Sequence, residues 1–198
     1  MPQEDKKLFE RIVIHCSYSE WGCNMIIQQW HKERGFRTTG YHEVVTNGYP
    51  TASWWNNGHK VDHLVGSVEI GREINDDRYF DISEMGAHVG GHNTGSYGIC
   101  MIGSKSFSNE VLNKTLDVVK FRLNQFNLKP SEDTVKGHYE LDSAKTCPNI
   151  DMNVFRNHLI NKTYYGQKIK KEFVRPRKNS GSVAIFTKIL NHFFSRGE

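Results

Sequence analysis

The sequence of 198 residues lacks several features that would place it in a specialised class. It contains no run of about 18 apolar residues, so no segment is expected to cross a bilayer as a helix. Residues 1–7 are polar and predict no signal peptide, so we expect synthesis in the cytoplasm. No internal repeat is present, and the length predicts one domain with extensions. The formal net charge is only +4, which permits a polyanionic partner but predicts no specific nucleic acid.

Cysteine is scarce, with four residues and no Cys-x-x-Cys pair, which argues against a four-thiolate zinc site or a redox dithiol. In a reducing compartment, Cys16, Cys23 and Cys100 are expected to be free thiols. Cys16 and Cys100 lie in apolar runs and are interpreted as small core residues. Cys147 differs, because it lies in a polar loop next to Pro148, where burial gives its side chain no obvious purpose.

Hydrophobic periodicity predicts strands alternating with helices. The predicted strands cover residues 11–16, 40–46, 66–72, 97–103 and 134–137. The predicted helices are one capped by Asn24 and ending at Gly35, one at 109–127, and one opened by Asp151. This order favours an α/β fold in which a single domain has one mixed central β-sheet flanked by helices.

Two segments are additions to this core. Residues 49–65 are predicted to form a long hairpin tip, in which Trp54 and Trp55 either contact glycan or cover the sheet edge. After a domain at 1–163, residues 164–198 are basic and contain an apolar stripe, which predicts a basic amphipathic C-terminal extension. This extension would either bind anionic lipopolysaccharide or membrane lipid, or pack on the core as a terminal helix.

One loop carries the residue types of a catalytic metal site. His138, Lys145 and Cys147 lie together on it, and His15 lies near the end of another predicted strand. Two imidazoles and a thiolate are a sufficient protein ligand set for catalytic zinc, with the fourth position left to water. Zinc lowers the pKa of that water to about 7, so the combination favours a hydrolase over a structural metal site. Taken alone, His15 has a commoner interpretation as a core or surface histidine.

Further residues are candidates for supporting roles. Lys145 has the charge to stabilise an oxyanion, although by itself it would be an ordinary surface lysine. Tyr41 is a candidate to hydrogen-bond the attacking water, whereas His42 is expected to point to the opposite face of the strand and to be structural. His88 and His92 lie in a glycine-broken loop, where they would be metal ligands, substrate contacts or solvated residues.

Seven segments of the chain, in family order between about residues 11 and 160, resemble one known superfamily. They are residues 14–17, 29–36, 40–42, 68–72, 86–88, 93–99 and 137–148. The chain is similar to the zinc-dependent N-acetylmuramoyl-L-alanine amidases of the phage lysozyme and peptidoglycan-recognition superfamily. The Trp30-His31-Lys32-Glu33-Arg34-Gly35 and Lys145-Thr146-Cys147-Pro148 segments especially resemble phage amidases that cleave the walls of Gram-negative hosts.

The resemblance implies a peptidoglycan hydrolase that cleaves the amide between the lactyl group of N-acetylmuramic acid and L-alanine. A phage endolysin of this kind would be made in the host cytoplasm and reach the wall in the periplasm through a membrane lesion. The resemblance implies that one zinc ion per chain is bound by His15, His138 and Cys147. It implies that catalysis is assisted by Tyr41 and Lys145, and that the substrate groove is lined by His88 and Asn93.

Two other functions stay open. Inactive relatives bind muropeptides without cleaving them, but they usually lack the cysteine ligand that Cys147 provides here. Some phage relatives also bind and inhibit their phage's RNA polymerase, which makes such a polymerase a possible partner. A structural zinc site would need a fourth protein ligand. Zinc content and turnover distinguish an enzyme from a binding protein, and a stoichiometric partner in a pull-down would indicate a polymerase regulator.

Overall fold

The computed structural model describes residues 7–75 and 77–167. Most of the predicted amphipathic extension, from residue 168 to 198, lies outside the described residues. The strands are β1 (Lys7–Leu8), β2 (Arg11–Cys16), β3 (Glu43–Asn47), β4 (Val65–Ile70), β5 (Tyr79–Phe80), β6 (Ser96–Met101) and β7 (Val135–Gly137). The α-helices are α1 (Asn24–Glu33), α2 (Ala52–Asn56), α3 (Asn109–Gln125) and α4 (Met152–Asn161). Short 3₁₀ turns occur at Asp62–Leu64, Ile82–Glu84 and His138–Glu140.

Five strands form one mixed sheet in the order β4-β3-β6-β2-β7. The strands β3, β6, β2 and β7 are parallel to one another, and only β4 runs antiparallel, beside β3. The predicted mixed sheet is therefore confirmed, and each predicted strand starts within three residues of its observed start. The sequence did not predict β1 and β5, which pair with each other in a separate two-stranded sheet.

The two faces of this sheet bury different side chains because alternate residues of a strand point to opposite sides. Ile12 and Ile14 belong to the larger core, which α3 and α4 complete. On the other face, Cys100 packs in a smaller core with Ile27 of α1. His15 pairs in register with Cys100 and is completely buried, so it belongs to this second face. The sheet thus separates the main core from the face that carries His15.

The longest helix, α3, shows how the sequence fixes the main core. Its N-cap is Ser108, whose side chain accepts a hydrogen bond from the backbone N–H of Val111. Its buried residues recur at helical spacing and are Val111, Leu112, Thr115, Leu116, Val118, Val119 and Leu123. Within the described ranges, no helix combines the length and the apolarity needed to traverse a membrane.

We expect Leu116→Ala to lower the free energy of unfolding by about 2–5 kcal/mol, because Leu116 is 0% exposed and its truncation leaves a cavity. Phe121→Ala on the same helix is the matched control, since Phe121 is 63% exposed and a larger side chain is removed. Denaturant unfolding of both variants measures the difference. A cost for Phe121→Ala equal to that for Leu116→Ala would contradict this account of the core.

Two details of the helix and strand predictions are corrected by the structure. Asn24 is the first residue of α1 rather than its N-cap, which is Cys23. The carboxylate of Glu69 accepts a hydrogen bond of 2.5 Å from the backbone N–H of Asn24 and so satisfies one free donor of the helix. The strand predicted from Gly40 begins instead at Glu43, so Tyr41 lies just before it.

The insert at 49–65 connects β3 to β4, and these strands do pair as an antiparallel hairpin. Its tip is not plain loop, however, because it contains α2, whose N-cap Thr51 accepts a hydrogen bond from the backbone N–H of Trp54. Trp54 and Trp55 are 42% and 40% exposed. The capping threonine is a sequence signal for this helix that the hairpin interpretation does not use.

The last described residues, up to Gln167, pack against the main core. The hydroxyl of Tyr164 donates a hydrogen bond of 2.6 Å to Asp117, and the ammonium of Lys120 lies 3.9 Å from the centre of the Tyr164 ring. The Tyr165 ring lies 4.2 Å from the ring of His158. The first residues of the predicted extension therefore pack on α3 and α4.

Candidate active site

The three predicted metal ligands meet because of the strand order. His15 lies near the carboxyl end of β2, and His138 directly follows β7. These strands are parallel neighbours, with Ile14 opposite Gly137. The next residues, His15 and His138, therefore lie side by side. The turn after His138 then returns Cys147 to the same point, where its sulfur faces the end of β2. Residues far apart in the chain thereby form one cluster.

The geometry of this cluster fits a zinc ion. One donor atom from each of His15, His138 and Cys147 lies within 4.8 Å of the others. The His15 and His138 ring centres are 4.7 Å apart, and the Cys147 Sγ lies 3.8 Å from the His15 Nδ1. A histidine nitrogen and a cysteine sulfur bound to the same tetrahedral zinc ion would be about 3.6 Å apart. Two imidazoles and one thiolate, three protein ligands in all, match the composition of catalytic zinc sites.

The structure shows what surrounds the buried sulfur of Cys147, which the sequence did not reveal. Cys147 is only 2% exposed, and its sulfur accepts a hydrogen bond of 3.1 Å from the backbone N–H of Cys16. Hydrogen bonding with the Cys16 thiol and burial raise the pKa of Cys147. The thiolate form therefore needs a neighbouring cation to compensate for its burial, as a metal ion would. No local motif signals this contribution of Cys16, because 131 residues separate the two partners.

Lys145 projects from the turn that carries His138 and Cys147. Its side chain is exposed, and its backbone N–H donates a hydrogen bond to the carbonyl of Asp142. Burial lowers the pKa of His138, the carboxylate of Asp142 raises it, and the ammonium of Lys145 lowers it. The Lys145 charge thus disfavours the protonated form of one of the three candidate ligands.

Tyr41 lies beside His15, just before β3. Its ring centre is 5.1 Å from that of His15 and 5.4 Å from that of His31. Burial raises the pKa of the Tyr41 hydroxyl well above its usual value, and the nearby thiols of Cys100 and Cys147 add to this effect. Tyr41 therefore keeps its proton at neutral pH and remains a hydrogen-bond donor.

The expectation that His42 is structural is confirmed. Its ring stacks on Tyr97 at 4.4 Å, its Nδ1 accepts a hydrogen bond from the backbone N–H of Gly98, and its Nε2 donates to the carbonyl of Glu84. These contacts link the residue just before β3 to β6 and to the loop that precedes His88. Burial lowers the pKa of His42 to about 4, so the ring is neutral at physiological pH.

This neutral imidazole predicts that acid weakens the fold. Unfolding restores the pKa of His42 from about 4 to about 6.5, so the unfolded chain binds more protons below pH 6.5. The contribution of neutral His42 to the free energy of unfolding, about 3 kcal/mol, is present above pH 6.5 and is lost as the pH falls towards 4. Denaturant unfolding at several pH values measures the slope, which should flatten in His42→Gln. Equal slopes for the two proteins would contradict the prediction.

The two residues expected to line the substrate groove occupy the loop between β5 and β6. The side-chain oxygen of Asn93 accepts hydrogen bonds of 2.9 Å from the backbone N–H groups of His88 and Val89, and so fixes the shape of the loop. His88 is only 8% exposed, and its Nδ1 lies 3.0 Å from the Nε2 of His15. His92, by contrast, is exposed and outside the metal cluster.

With this geometry established, comparison with known proteins identifies the family. The family model described as N-acetylmuramoyl-L-alanine amidase matches residues 5–150, which is most of the chain. The chain belongs to the N-acetylmuramoyl-L-alanine amidase family. The matched range of this amidase contains all seven residues that the sequence analysis singled out for its site.

Individual relatives match most of the chain in sequence or in fold. The amidase is 25% identical to the endolysin of Klebsiella phage KP32 over 159 residues, which cover 76% of this chain and 88% of that protein. It is 26% identical to the endolysin of Escherichia phage T7 over 160 residues, with 76% and 89% covered. Its fold is similar to that of the amidase LysC from Clostridium intestinale URNW, with a TM-score of 0.59, 18% identity, and coverage of 81% and 91%.

Proposed function

We propose that this amidase is a peptidoglycan hydrolase of the phage endolysin type that uses one zinc ion. It would cleave the amide between the lactyl group of N-acetylmuramic acid and L-alanine of the stem peptide. The observation that carries the proposal is the convergence of His15, His138 and Cys147 donor atoms within 4.8 Å. Family membership and the similarity to phage endolysins over most of their length support the substrate and the setting.

The donor set suits hydrolysis rather than a purely structural role. A zinc ion held by His15, His138 and Cys147 would supply a water ionised near neutral pH and would polarise the scissile carbonyl. The backbone N–H of Cys16 stabilises the ligand sulfur by donating to it. Three ligands leave a coordination position open for water or substrate.

Two further residues of the chain, Tyr41 and Lys145, would assist the reaction. We assign to Lys145 the stabilisation of the negative charge that develops on the carbonyl oxygen, because it is exposed on the turn that carries His138 and its charge lowers the pKa of that ligand candidate. We assign to Tyr41 a hydrogen bond that orients the water or the substrate, because its hydroxyl keeps its proton. Asn93 would shape the wall of the groove through the loop that it fixes, and His88 would present only its small exposed edge to substrate.

The setting follows from the same proposal. The enzyme would be made in the host cytoplasm and act on the periplasmic wall after a membrane lesion. Truncation after Gln167 keeps the packed residues Tyr164 and Tyr165 and removes the basic remainder. If that remainder binds lipopolysaccharide or anionic lipid, the truncated protein should lose sedimentation with anionic vesicles while keeping its activity on purified wall. Unchanged sedimentation would exclude this role.

The test of the function is digestion of purified Gram-negative peptidoglycan by the zinc-loaded protein. Mass spectrometry should find free stem peptides that begin with L-alanine and glycan strands that keep their lactyl groups. Products cut within the glycan or within the peptide would refute the assigned bond. Zinc binding and wall binding without any product would favour a muropeptide-binding protein instead, and a stoichiometric polymerase partner in extract of infected cells would favour a regulator.

A further inference from the structure

We infer that His88 is a positioning residue for the metal ligand His15, which it orients through a hydrogen bond between the two imidazoles. The inference rests on the proposed function, because it assumes that the cluster of His15, His138 and Cys147 binds zinc. It assigns to a buried residue a role in holding the metal site together.

The two nitrogens of His15 face different partners. The Nδ1 lies 3.8 Å from the Cys147 Sγ, on the side of the metal cluster. The Nε2 lies 3.0 Å from the Nδ1 of His88, on the opposite side of the ring. His15 is completely buried, so neither nitrogen can exchange its partner for bulk water. The ring therefore has one nitrogen for the metal and one for His88.

Metal binding selects one arrangement of protons along this pair. A metal ion at Nδ1 of His15 needs the lone pair of that atom, so the proton of the neutral ring must be on Nε2. The Nε2 then donates to Nδ1 of His88, which must accept and must carry its own proton on Nε2. The reverse assignment would place a proton of His15 between its Nδ1 and the Cys147 sulfur, where the metal has to bind.

The surroundings of His88 hold its ring in place. Its backbone N–H is bound by Asn93, and its ring is nearly perpendicular to that of His15, with an interplanar angle of 79°. A Cβ added at Gly98 of β6 would lie 2.5 Å from the Cδ2 of His88, and one added at Gly86 would also lie 2.5 Å from that atom. The two glycines therefore create the slot that allows the imidazole to lie against the sheet.

A hydrogen-bond partner in this place has a measurable effect on metal affinity. It fixes the tautomer and the orientation of the ligand ring before the metal binds, and its loss typically weakens binding by about 10–100-fold. A residue that only contacts substrate would have a different signature. Its loss would raise KM and leave the affinity for zinc unchanged.

The experiment compares zinc affinity in the full chain carrying His88→Ala, His88→Asn or the control His92→Ala. Competition with a chelating dye measures the affinity, and the absorption bands of the cobalt-substituted protein report the geometry of the site. We expect zinc binding to weaken by about 10–100-fold in His88→Ala. His88→Asn should restore most of it, because an amide oxygen can accept from Nε2 of His15. His92→Ala, on the same loop but exposed, should bind like the wild type.

The possible failures can be told apart. Wild-type protein that binds no zinc would overturn the metal assignment and this inference together. Wild-type affinity in a folded His88→Ala variant, with or without a raised KM, would overturn the role of His88 and leave the proposed function intact. If His88→Ala does not fold, His88→Phe fills the same slot without an acceptor and should show the same loss. Gly98→Ala, which displaces the His88 ring, should weaken zinc binding in the same direction.

Discussion

Replacing Cys147 by serine should abolish zinc binding and wall cleavage together. The thiolate is one of the three proposed protein ligands, and a serine hydroxyl does not ionise at neutral pH to replace it. Loss of the proposed metal would remove the activation of water and the polarisation of the carbonyl that it would supply, which is worth several kcal/mol in the transition state, or at least about 10³-fold in kcat. Metal analysis of the purified variant and release of stem peptide measure the two effects on the same sample.

Cys23→Ser is the matched control for this substitution. Cys23 is a free, partly exposed cysteine outside the cluster, and its backbone caps α1 without help from its side chain. It should keep wild-type zinc content and turnover. Cleavage by Cys147→Ser in the absence of bound zinc would contradict the mechanism, because the remaining residues would then suffice for hydrolysis.

Replacing Lys145 by alanine should lower kcat by about 10²–10³-fold while zinc stays bound, because in the proposed mechanism the substitution removes one donor to the developing oxyanion. The fold should tolerate the change, since the Lys145 side chain is exposed and its backbone hydrogen bond to Asp142 does not depend on its identity. Steady-state turnover of soluble muropeptide together with metal content separates a catalytic defect from a binding defect.

The control for charge alone is Lys129→Ala. Lys129 is also exposed, and it lies in the loop after α3 rather than in the turn that carries His138. It should reproduce wild-type kinetics. A Lys145→Ala enzyme with normal kcat and a raised KM would show that the lysine binds substrate and does not stabilise the transition state.

Much of the fold follows from the sequence because its strongest signals are periodic. The apolar stripe of α3 and the Asp151 cap of α4 place these helices correctly. The pair β1 and β5 could not be predicted, because two residues in each strand carry no periodicity. The antiparallel pairing of β3 with β4 agrees with the predicted hairpin, but the short helix that Thr51 begins at its tip was not predicted, because five residues are too few to show a helical period.

The candidate site divides in the same way. Residue types and family resemblance are sufficient to select His15, His138 and Cys147, and the parallel pairing of β2 with β7 explains why they lie together. The contact of His88 with His15 cannot be predicted in this way, because it joins residues 73 positions apart and depends on the space above Gly98. Sequence patterns identify candidate ligand residues better than they identify the residues that position them.

The position of β7 at the edge of the sheet has a consequence for the residence time of the proposed zinc ion. It is an edge strand of three residues, and three register pairs join it to β2. Because His15 belongs to β2 and the other two proposed ligands follow β7, fraying of this edge would separate the three donor atoms. A bound ion would cross-link β2 and β7. Its residence time should therefore follow the lifetime of the hydrogen-bonded pairing between these two strands. Amide exchange at Val135 and Lys136 and the rate of zinc release to a chelator should therefore change together.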